Sequence, residues 1–144
     1  MAAPKTPRLT VDIVIHLTDE PGSLVLIERR YPPLGLALPG GFVDVGEWLE
    51  DAARREAHEE TGLHVTLETL LGCYSDPHRD PRGHTVSAVY VGRAQGRPRA
   101  GDDAAACRIV QATHVGLPLV FDHQRILEDY LVFSRTGLLP RPRA

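Results

Sequence analysis

Three glutamates in one predicted helix have the types and spacing to do chemistry together. The segment from Glu47 to Thr61 is rich in Ala, Glu, Arg and Leu, and Gly62 follows it in the position of a left-handed helix end. At about 100° per residue, Glu56, Glu59 and Glu60 fall within an arc of about 100°. The apolar residues on the same side are Leu49, Ala52, Ala53 and Ala57. The acids therefore sit among the apolar residues of the helix and not opposite them.

Half-buried carboxylates on one helix face require a counter-charge. Two unit charges about 4 Å apart repel by about 4 kcal/mol at an effective dielectric constant of 20. A hard divalent ion such as Mg²⁺ relieves this repulsion, and it characteristically combines one or two carboxylates with substrate phosphates. The alternative is a solvated helix with Glu/Arg ion pairs, which the acidic run taken alone favours.

The loop before this helix favours the metal-binding interpretation. The segment Leu38-Pro-Gly-Gly-Phe-Val-Asp-Val-Gly46 contains the glycine pair Gly40 and Gly41. Adjacent glycines permit a close backbone approach and φ values that other residues resist. Such a loop can offer a carbonyl oxygen to a metal or an amide N–H to a phosphate. A glycine loop followed by an acidic helix therefore points to phosphate chemistry.

The same residues resemble the signature of a known family. Residues Gly41 to Leu63 fit the Nudix box, which reads Gly, five residues, Glu, seven residues, then Arg-Glu-aliphatic-any-Glu-Glu-any-Gly-aliphatic. Ala57 is a small occupant of the aliphatic position. The match spans 23 of the 144 residues. The resemblance implies a single domain over residues 1–144, folded as a Nudix-type α/β/α sandwich with a mixed β-sheet.

The resemblance also assigns roles around Mg²⁺ or Mn²⁺ as the divalent cofactor. Glu59 or Glu60 is the general base that it suggests. The loop acids Asp102 and Asp103 are alternatives for that role. The implied metal ligands are the carbonyl of Gly40 and the carboxylates of Glu56, Glu59 and Glu60. The implied catalytic set is Glu47, Arg55, Glu59 and Glu60, in which Arg55 orients a carboxylate and Glu47 supports the site.

Three segments outside the box resemble small ADP-ribose pyrophosphatases of bacteria and archaea. They are Tyr31 to Gly41, Tyr74 to Thr85 and Phe121 to His123. The implied reaction converts ADP-ribose into AMP and ribose 5-phosphate. Two positions depart from the usual pattern, because Leu36 stands where many relatives have Trp and Arg79 where many have Pro.

Candidate substrate-binding residues lie mostly in these segments, and two alternative functions accompany them. The candidates are Arg29, His78, Arg79, Arg82, His84, Asp102, Asp103 and Phe121. The alternative for the loop is a solvated segment whose arginines pair with Asp76 and Asp80. A nucleotide-sanitising nucleoside triphosphate pyrophosphohydrolase and a non-catalytic nucleotide sensor are the alternative functions.

The elements that must position these residues follow from the periodicity of the chain. Alternating apolar residues over 10–17 and a second predicted strand over 24–28 indicate a hairpin, and ordered backbone resumes near Leu36. Further strands are predicted over 65–71, 85–91 and 107–112. A last helix follows Asp122 and ends at Gly137. Its apolar face comprises Ile126, Leu127, Tyr130 and Leu131.

Composition excludes several other classes of protein. The 144 residues are 42% hydrophobic and 24% charged, as in ordinary globular domains. The longest apolar run is Leu24 to Ile27, and the N-terminal segment has no apolar signal region, so we expect neither a membrane protein nor a secreted one. The net charge of −3 does not suggest a nucleic-acid partner. Two isolated cysteines, Cys73 and Cys107, fit the cytoplasm, and the family resemblance implies a homodimer.

Overall fold

The computed structural model describes residues 1–101, 103–115 and 118–144. This part of the chain contains seven strands and two helices. The strands are β1 (Arg8–Leu17), β2 (Ser23–Arg29), β3 (Leu36–Ala37), β4 (Gly40–Phe42), β5 (Thr66–Tyr74), β6 (Thr85–Ala94) and β7 (Ala104–Gln111). The helices are α1 (Leu49–Thr61) and α2 (His123–Thr136). No helix among the described residues is long and apolar enough to cross a membrane.

The strands form one mixed sheet, as predicted. Its main order is β3-β2-β1-β6-β5, with β4 paired to β1 and β7 paired to β2. Strands β1 and β6 run parallel over their whole length, while the other pairs are antiparallel. The short strand β4 lies against the first half of β1, where Val11 faces Gly41 and Asp12 faces Gly40. The glycine loop is therefore part of the sheet.

Alternation along β1 places one helix on each face of the sheet. Val11, Ile13 and Ile15 pack in one core cluster with the alanines of α1. Val14, which points to the opposite face, packs with Ile126 of α2 in a second cluster. The predicted sandwich of helix, sheet and helix is therefore confirmed.

The predicted elements are present, with shifted boundaries. Helix α1 begins at Leu49, two residues after the predicted start, because Glu47 lies in the preceding turn, where its N–H donates to the carbonyl of Asp44. Strand β7 begins three residues earlier than predicted, since the pairing with β2 extends to Ala104. Short alanine runs carry little strand signal of their own.

The core of the sheet gives a first prediction. Ile13 is fully buried between β1 and α1, so Ile13→Ala leaves a cavity and lowers the free energy of unfolding by about 2 to 5 kcal/mol. The matched control is Val132→Ala on the exposed side of α2, which changes the free energy of unfolding by less than about 0.5 kcal/mol. Urea denaturation followed by circular dichroism measures both. Equal effects of the two substitutions would contradict the described packing.

Candidate active site

Helix α1 carries its acids at the edge of its buried face. Ala52, Ala53 and Ala57 are fully buried against the sheet, and their small side chains let the helix approach closely. Gly62 closes the helix with φ 72° and donates its N–H to the carbonyl of His58 at 2.8 Å. Glu56 is one turn from Glu60, and both line a cavity of about 300 Å³ above the end of β4.

The two glutamates form the acidic end of this cavity. Only 4% of Glu60 is exposed, and its Oε1 accepts the N–H of Gly40 at 3.1 Å. Burial, with the negative charges of Glu56 and Asp12, raises the pKa of Glu60 to about 8 against the hydrogen bond from Gly40, which lowers it. Burial likewise raises the pKa of Glu56. Both acids are therefore partly or fully buried, as their position among the apolar residues of the helical wheel predicts.

Glu59 does not line the cavity, unlike the other two acids of the predicted trio. Its side chain is 39% exposed, and its Oε2 accepts a hydrogen bond from Arg55 Nη1 at 3.3 Å. The helical wheel places Glu59 at the edge of the acidic arc, where Arg55 holds its carboxylate at the rim of the site. Of the three carboxylates predicted to be half-buried, Glu56 and Glu60 are thus the more buried and Glu59 the more exposed.

Arg55 is the cation that orders the acids. It donates to both carboxylate oxygens of Glu47 at 2.7 and 2.9 Å, and to Oε1 of Glu56 at 2.8 Å. It also donates to the carbonyl of Phe42 at 3.1 Å. The hydrogen bonds from Arg55 and from the backbone of Asp44 lower the pKa of Glu47 to about 2. The pKa of Arg55 is raised by the same pairing with Glu47, so both groups stay charged.

The glycine pair lets the backbone of β4 reach the acids. A Cβ on Gly41 would lie 2.5 Å from the carboxyl carbon of Glu56, and a Cβ on Gly40 would overlap the carbonyl of Val11. No larger residue fits either position without displacing these groups. The sequence therefore requires glycine here for close approach and not for an unusual φ.

The donor set fits a hard divalent cation. Within residues 1–101, 103–115 and 118–144, no three His, Cys, Asp or Glu side chains form a complete metal cage. Glu56 and Glu60 instead offer two adjoining carboxylates beside the backbone of Gly40, and oxygen donors of this kind suit Mg²⁺ or Mn²⁺ completed by water and substrate phosphate. Their raised pKa values show carboxylates that lack enough positive charge. Glu59 lies at the rim as a further oxygen donor.

The cavity wall also has a basic and aromatic part. The Arg82 guanidinium lies 5.4 Å from the ring centres of both Phe42 and Phe121, and Arg29 lies 5.1 Å from that of Phe121. Asp80, whose side chain is buried, accepts two hydrogen bonds from the Arg82 guanidinium at 3.1 and 2.9 Å. Burial lowers the pKa of Arg29, and the nearby charge of Arg82 lowers it further. Because the positive charges of Arg29 and Arg82 repel each other, an anion bound between them is favoured.

The other predicted substrate-binding residues occupy varied positions. Arg79 lines the cavity, but its side chain is 3% exposed and pairs in a bidentate manner with Asp122 at 3.0 and 2.7 Å. His78 and His84 are not among the cavity residues, and His84 bonds to the carbonyl of Ser75. Asp103 lines the cavity. Asp102 lies outside the described residues. The alternative pairing of Arg82 with Asp80 is present.

Two buried site residues, Asp12 and His123, were missed by sequence reasoning. Asp12 accepts a hydrogen bond from Ser87 Oγ, and its Oδ1 lies 3.5 Å from His123 Nε2. Burial opposes the ionisation of Asp12, but His123, Ser87 and Arg79 together lower its pKa. For Asp12 the available signal was an acidic residue among the alternating apolar residues of β1. For His123 the available signal was its place in the Phe121 to His123 segment that resembles ADP-ribose pyrophosphatases.

A larger open groove lies away from these residues. It has a volume of about 650 Å³ and is lined by the arginines Arg93, Arg97 and Arg99 beside the end of α1. Its described lining contains no carboxylate. The smaller cavity, which joins paired acids, arginines and aromatic rings, is therefore the candidate active site.

Comparison with known proteins agrees with this geometry. The sequence profile described as "NUDIX domain" matches residues 6–130. The chain is 43% identical over 129 residues to the ADP-ribose pyrophosphatase of Methanocaldococcus jannaschii, covering 87% of this chain and 73% of that protein. It is 33% identical over 117 residues to a Bacillus subtilis protein named "Putative 8-oxo-dGTP diphosphatase", covering 81% of this chain and 76% of that one.

A solved structure extends the comparison to the fold and a ligand. The NUDIX domain of Shewanella oneidensis NrtR, crystallised with ADP ribose, superposes with a TM-score of 0.78 at 28% identity, covering 91% of this chain and 89% of that domain. Two other matching structures have longer chains. This chain spans 42% of one and 65% of the other.

The approach of Gly41 to Glu56 gives a second prediction. Gly41→Ala places a methyl group on the Glu56 carboxylate, so we expect a loss of hydrolytic activity of roughly 100-fold, as for a misplaced reacting group. The matched control is Gly72→Ala in β5, where the added carbon has its nearest neighbour at 3.8 Å. Rates of diphosphate hydrolysis by both variants, at equal folded fractions, measure the effect. Unchanged activity of Gly41→Ala would contradict the contact.

Proposed function

The chain belongs to the NUDIX family, and from that premise we propose that it hydrolyses the diphosphate linkage of ADP-ribose to AMP and ribose 5-phosphate. The observation that carries the proposal is a single cavity whose wall carries buried acids, two arginines and two phenylalanine rings. The name of the Methanocaldococcus jannaschii relative and the ADP ribose complex of the NrtR domain support the choice of substrate.

At the acidic end, Glu56, Glu60 and the Gly40 carbonyl are the proposed holders of Mg²⁺ or Mn²⁺, with Glu59 joining from the rim. The bound cation supplies charge neutralisation for the diphosphate oxygens. Arg55 keeps the carboxylates of Glu56 and Glu59 in fixed orientations. Glu47 in turn fixes Arg55 through a bidentate pair.

The chemical step is the attack of water on one phosphorus. A new P–O bond forms, the bridging P–O bond breaks, and the bridging oxygen leaves with the second phosphate monoester. The proton of the water passes to a carboxylate acting as general base. Glu59 or Glu60 takes this role: Glu59 accepts a hydrogen bond from Arg55, and Glu60 lines the cavity and accepts the Gly40 N–H. Asp103 stays an alternative at the cavity wall.

Arg29 and Arg82, which line the same cavity, are proposed to hold the diphosphate or the sugar. Phe42 and Phe121 provide flat apolar faces suited to stacking on a base. Phe121 has φ 58°, an uncommon value for a residue with a side chain, at a position that faces the cavity. Arg79 is assigned to holding the loop, since Asp122 occupies its guanidinium.

The alternative functions differ in the products they leave. The Bacillus subtilis relative's name favours a nucleoside triphosphate as a second candidate substrate, which would release pyrophosphate. A non-catalytic sensor would bind nucleotide without turnover. A homodimer and a cytoplasmic location stay predictions, and sizing chromatography tests the first.

Substrate choice gives a third prediction. With Mg²⁺ present, the chain is expected to convert ADP-ribose into AMP and ribose 5-phosphate faster than it releases pyrophosphate from 8-oxo-dGTP. The measurement is chromatographic product analysis over a panel of nucleoside diphosphate derivatives and triphosphates, with and without Mg²⁺. Pyrophosphate as the main product would favour the triphosphate alternative, and binding without any product would favour the sensor.

The double substitution Glu59→Gln with Glu60→Gln removes two of the proposed acid ligands and both favoured bases, so turnover should be abolished. Glu128→Gln, on the exposed side of α2, is the matched control and should leave turnover intact. Unchanged rates in the double variant would refute the metal assignment whatever the substrate.

The Arg82 guanidinium gives a fifth prediction. Arg82→Gln removes a guanidinium that faces both phenylalanine rings, so we expect KM for ADP-ribose to rise roughly tenfold, the size of one charge-assisted hydrogen bond. Arg54→Gln, whose guanidinium pairs with Asp51 on the outer side of α1, is the control. Steady-state kinetics measure both variants. A drop in kcat at constant KM would contradict a role in substrate binding.

A further inference from the structure

The backbone between β3 and β4 is fixed at three consecutive residues. The ladder between β2 and β3 ends one residue before this segment, so its peptide groups need other partners. Three hydrogen bonds supply them: Leu38 N–H to His123 Nδ1 at 3.0 Å, Ile13 N–H to the Pro39 carbonyl at 2.9 Å, and Gly40 N–H to Glu60 Oε1 at 3.1 Å. Of the three partners, Ile13 belongs to β1 and Glu60 to α1. The third partner is the imidazole ring of His123.

That imidazole is buried and is the described partner of the Leu38 N–H. His123 is 2% exposed and Leu38 is 2% exposed. Water therefore has little access to replace the ring as an acceptor. His123 opens α2, and the preceding segment runs along β3, where Val120 N–H donates to the Leu36 carbonyl at 2.9 Å. The start of α2 is thus built against the segment that leads to Gly40.

The hydrogen bond from Leu38 also defines the form of the ring. A nitrogen that accepts a hydrogen bond carries no proton, so the proton of the neutral imidazole is on Nε2. Nε2 faces Asp12 Oδ1 at 3.5 Å. Asp12 accepts from Ser87 and lies 3.9 Å from the Arg79 guanidinium. The ring is therefore held on both sides and cannot rotate without breaking a buried contact.

We propose that His123 is a positioning residue, whose unprotonated Nδ1 fixes the Leu38 to Gly40 backbone so that the Gly40 peptide stands against Glu60. Through that backbone it sets the distance between Gly40 and the acidic pair of α1. The inference rests on the proposed function in one respect, namely that Gly40, Glu56 and Glu60 hold a divalent cation.

Two substitutions of similar size separate the two nitrogens. In His123→Asn the side-chain oxygen stands near the position of Nδ1 and still accepts from Leu38. In His123→Gln the amide stands near the position of Nε2 and leaves the Leu38 N–H without its acceptor. We expect His123→Gln to lose Mn²⁺ affinity and kcat by roughly 10- to 100-fold, the usual effect of removing support behind a metal ligand. We expect His123→Asn to keep a Mn²⁺ affinity and a kcat close to those of the unsubstituted protein.

Mn²⁺ binding is followed by electron paramagnetic resonance without substrate, kcat and KM with ADP-ribose, and folding by thermal denaturation. His64→Asn, at an exposed histidine outside the cavity, controls for the substitution itself. Equal losses in both His123 variants, a larger loss in His123→Asn, or no loss in either would overturn the proposal. The Mn²⁺ measurement needs no substrate, so a failure to cleave ADP-ribose leaves this test intact.

A measurement on the unsubstituted protein covers the case in which a variant does not fold. The ¹⁵N chemical shifts of His123 should show an unprotonated Nδ1 and a protonated Nε2, and the Leu38 amide should exchange slowly. A proton on Nδ1, or a fast-exchanging Leu38 amide, would overturn the proposal.

Discussion

Close contact between the backbone of β4 and the acidic edge of α1 is the constraint on which the site depends. The alanines of α1 bring the helix down onto the sheet, and the glycines of β4 leave room for the Glu56 carboxylate. Larger residues on either side would separate the Gly40 peptide from Glu60, which it contacts at 3.1 Å. The small residues are therefore as necessary to the chemistry as the acids, although they supply no functional group.

The charges of the site are only partly balanced by the protein. Arg55 compensates Glu47 fully through a bidentate pair and shares one nitrogen between Glu56 and Glu59. Glu60 accepts one peptide N–H and has the charge of Arg29 nearby, and burial still raises its pKa. Such a site is costly in isolation, because buried like charges repel strongly. The proposed divalent cation and anionic substrate would complete this balance.

Local patterns of the sequence predicted the parts of this arrangement that depend on near neighbours. The period of α1, its Gly62 end and the alternation of β1 are set by residues a few positions apart. They do not fix the rotamer of Glu59, which Arg55 decides. They also do not show that Arg79 turns inward to Asp122, 43 residues away, or that His123 reaches Leu38, 85 residues away. A loop arginine looks alike in sequence whether it binds a ligand or a buried acid.

The N-terminus of α2 shows a local preference giving way to the site. Asp122 is the residue type that normally caps a helix, yet it makes no side-chain cap here, because its carboxylate binds the Arg79 guanidinium. A lost cap costs about 1 kcal/mol, whereas an unpaired buried Arg79 would cost more. The same turn presents Phe121 and His123 to the cavity. The start of α2 therefore holds the loop over residues 74–85 through Arg79 and the Leu38 to Gly40 segment through His123.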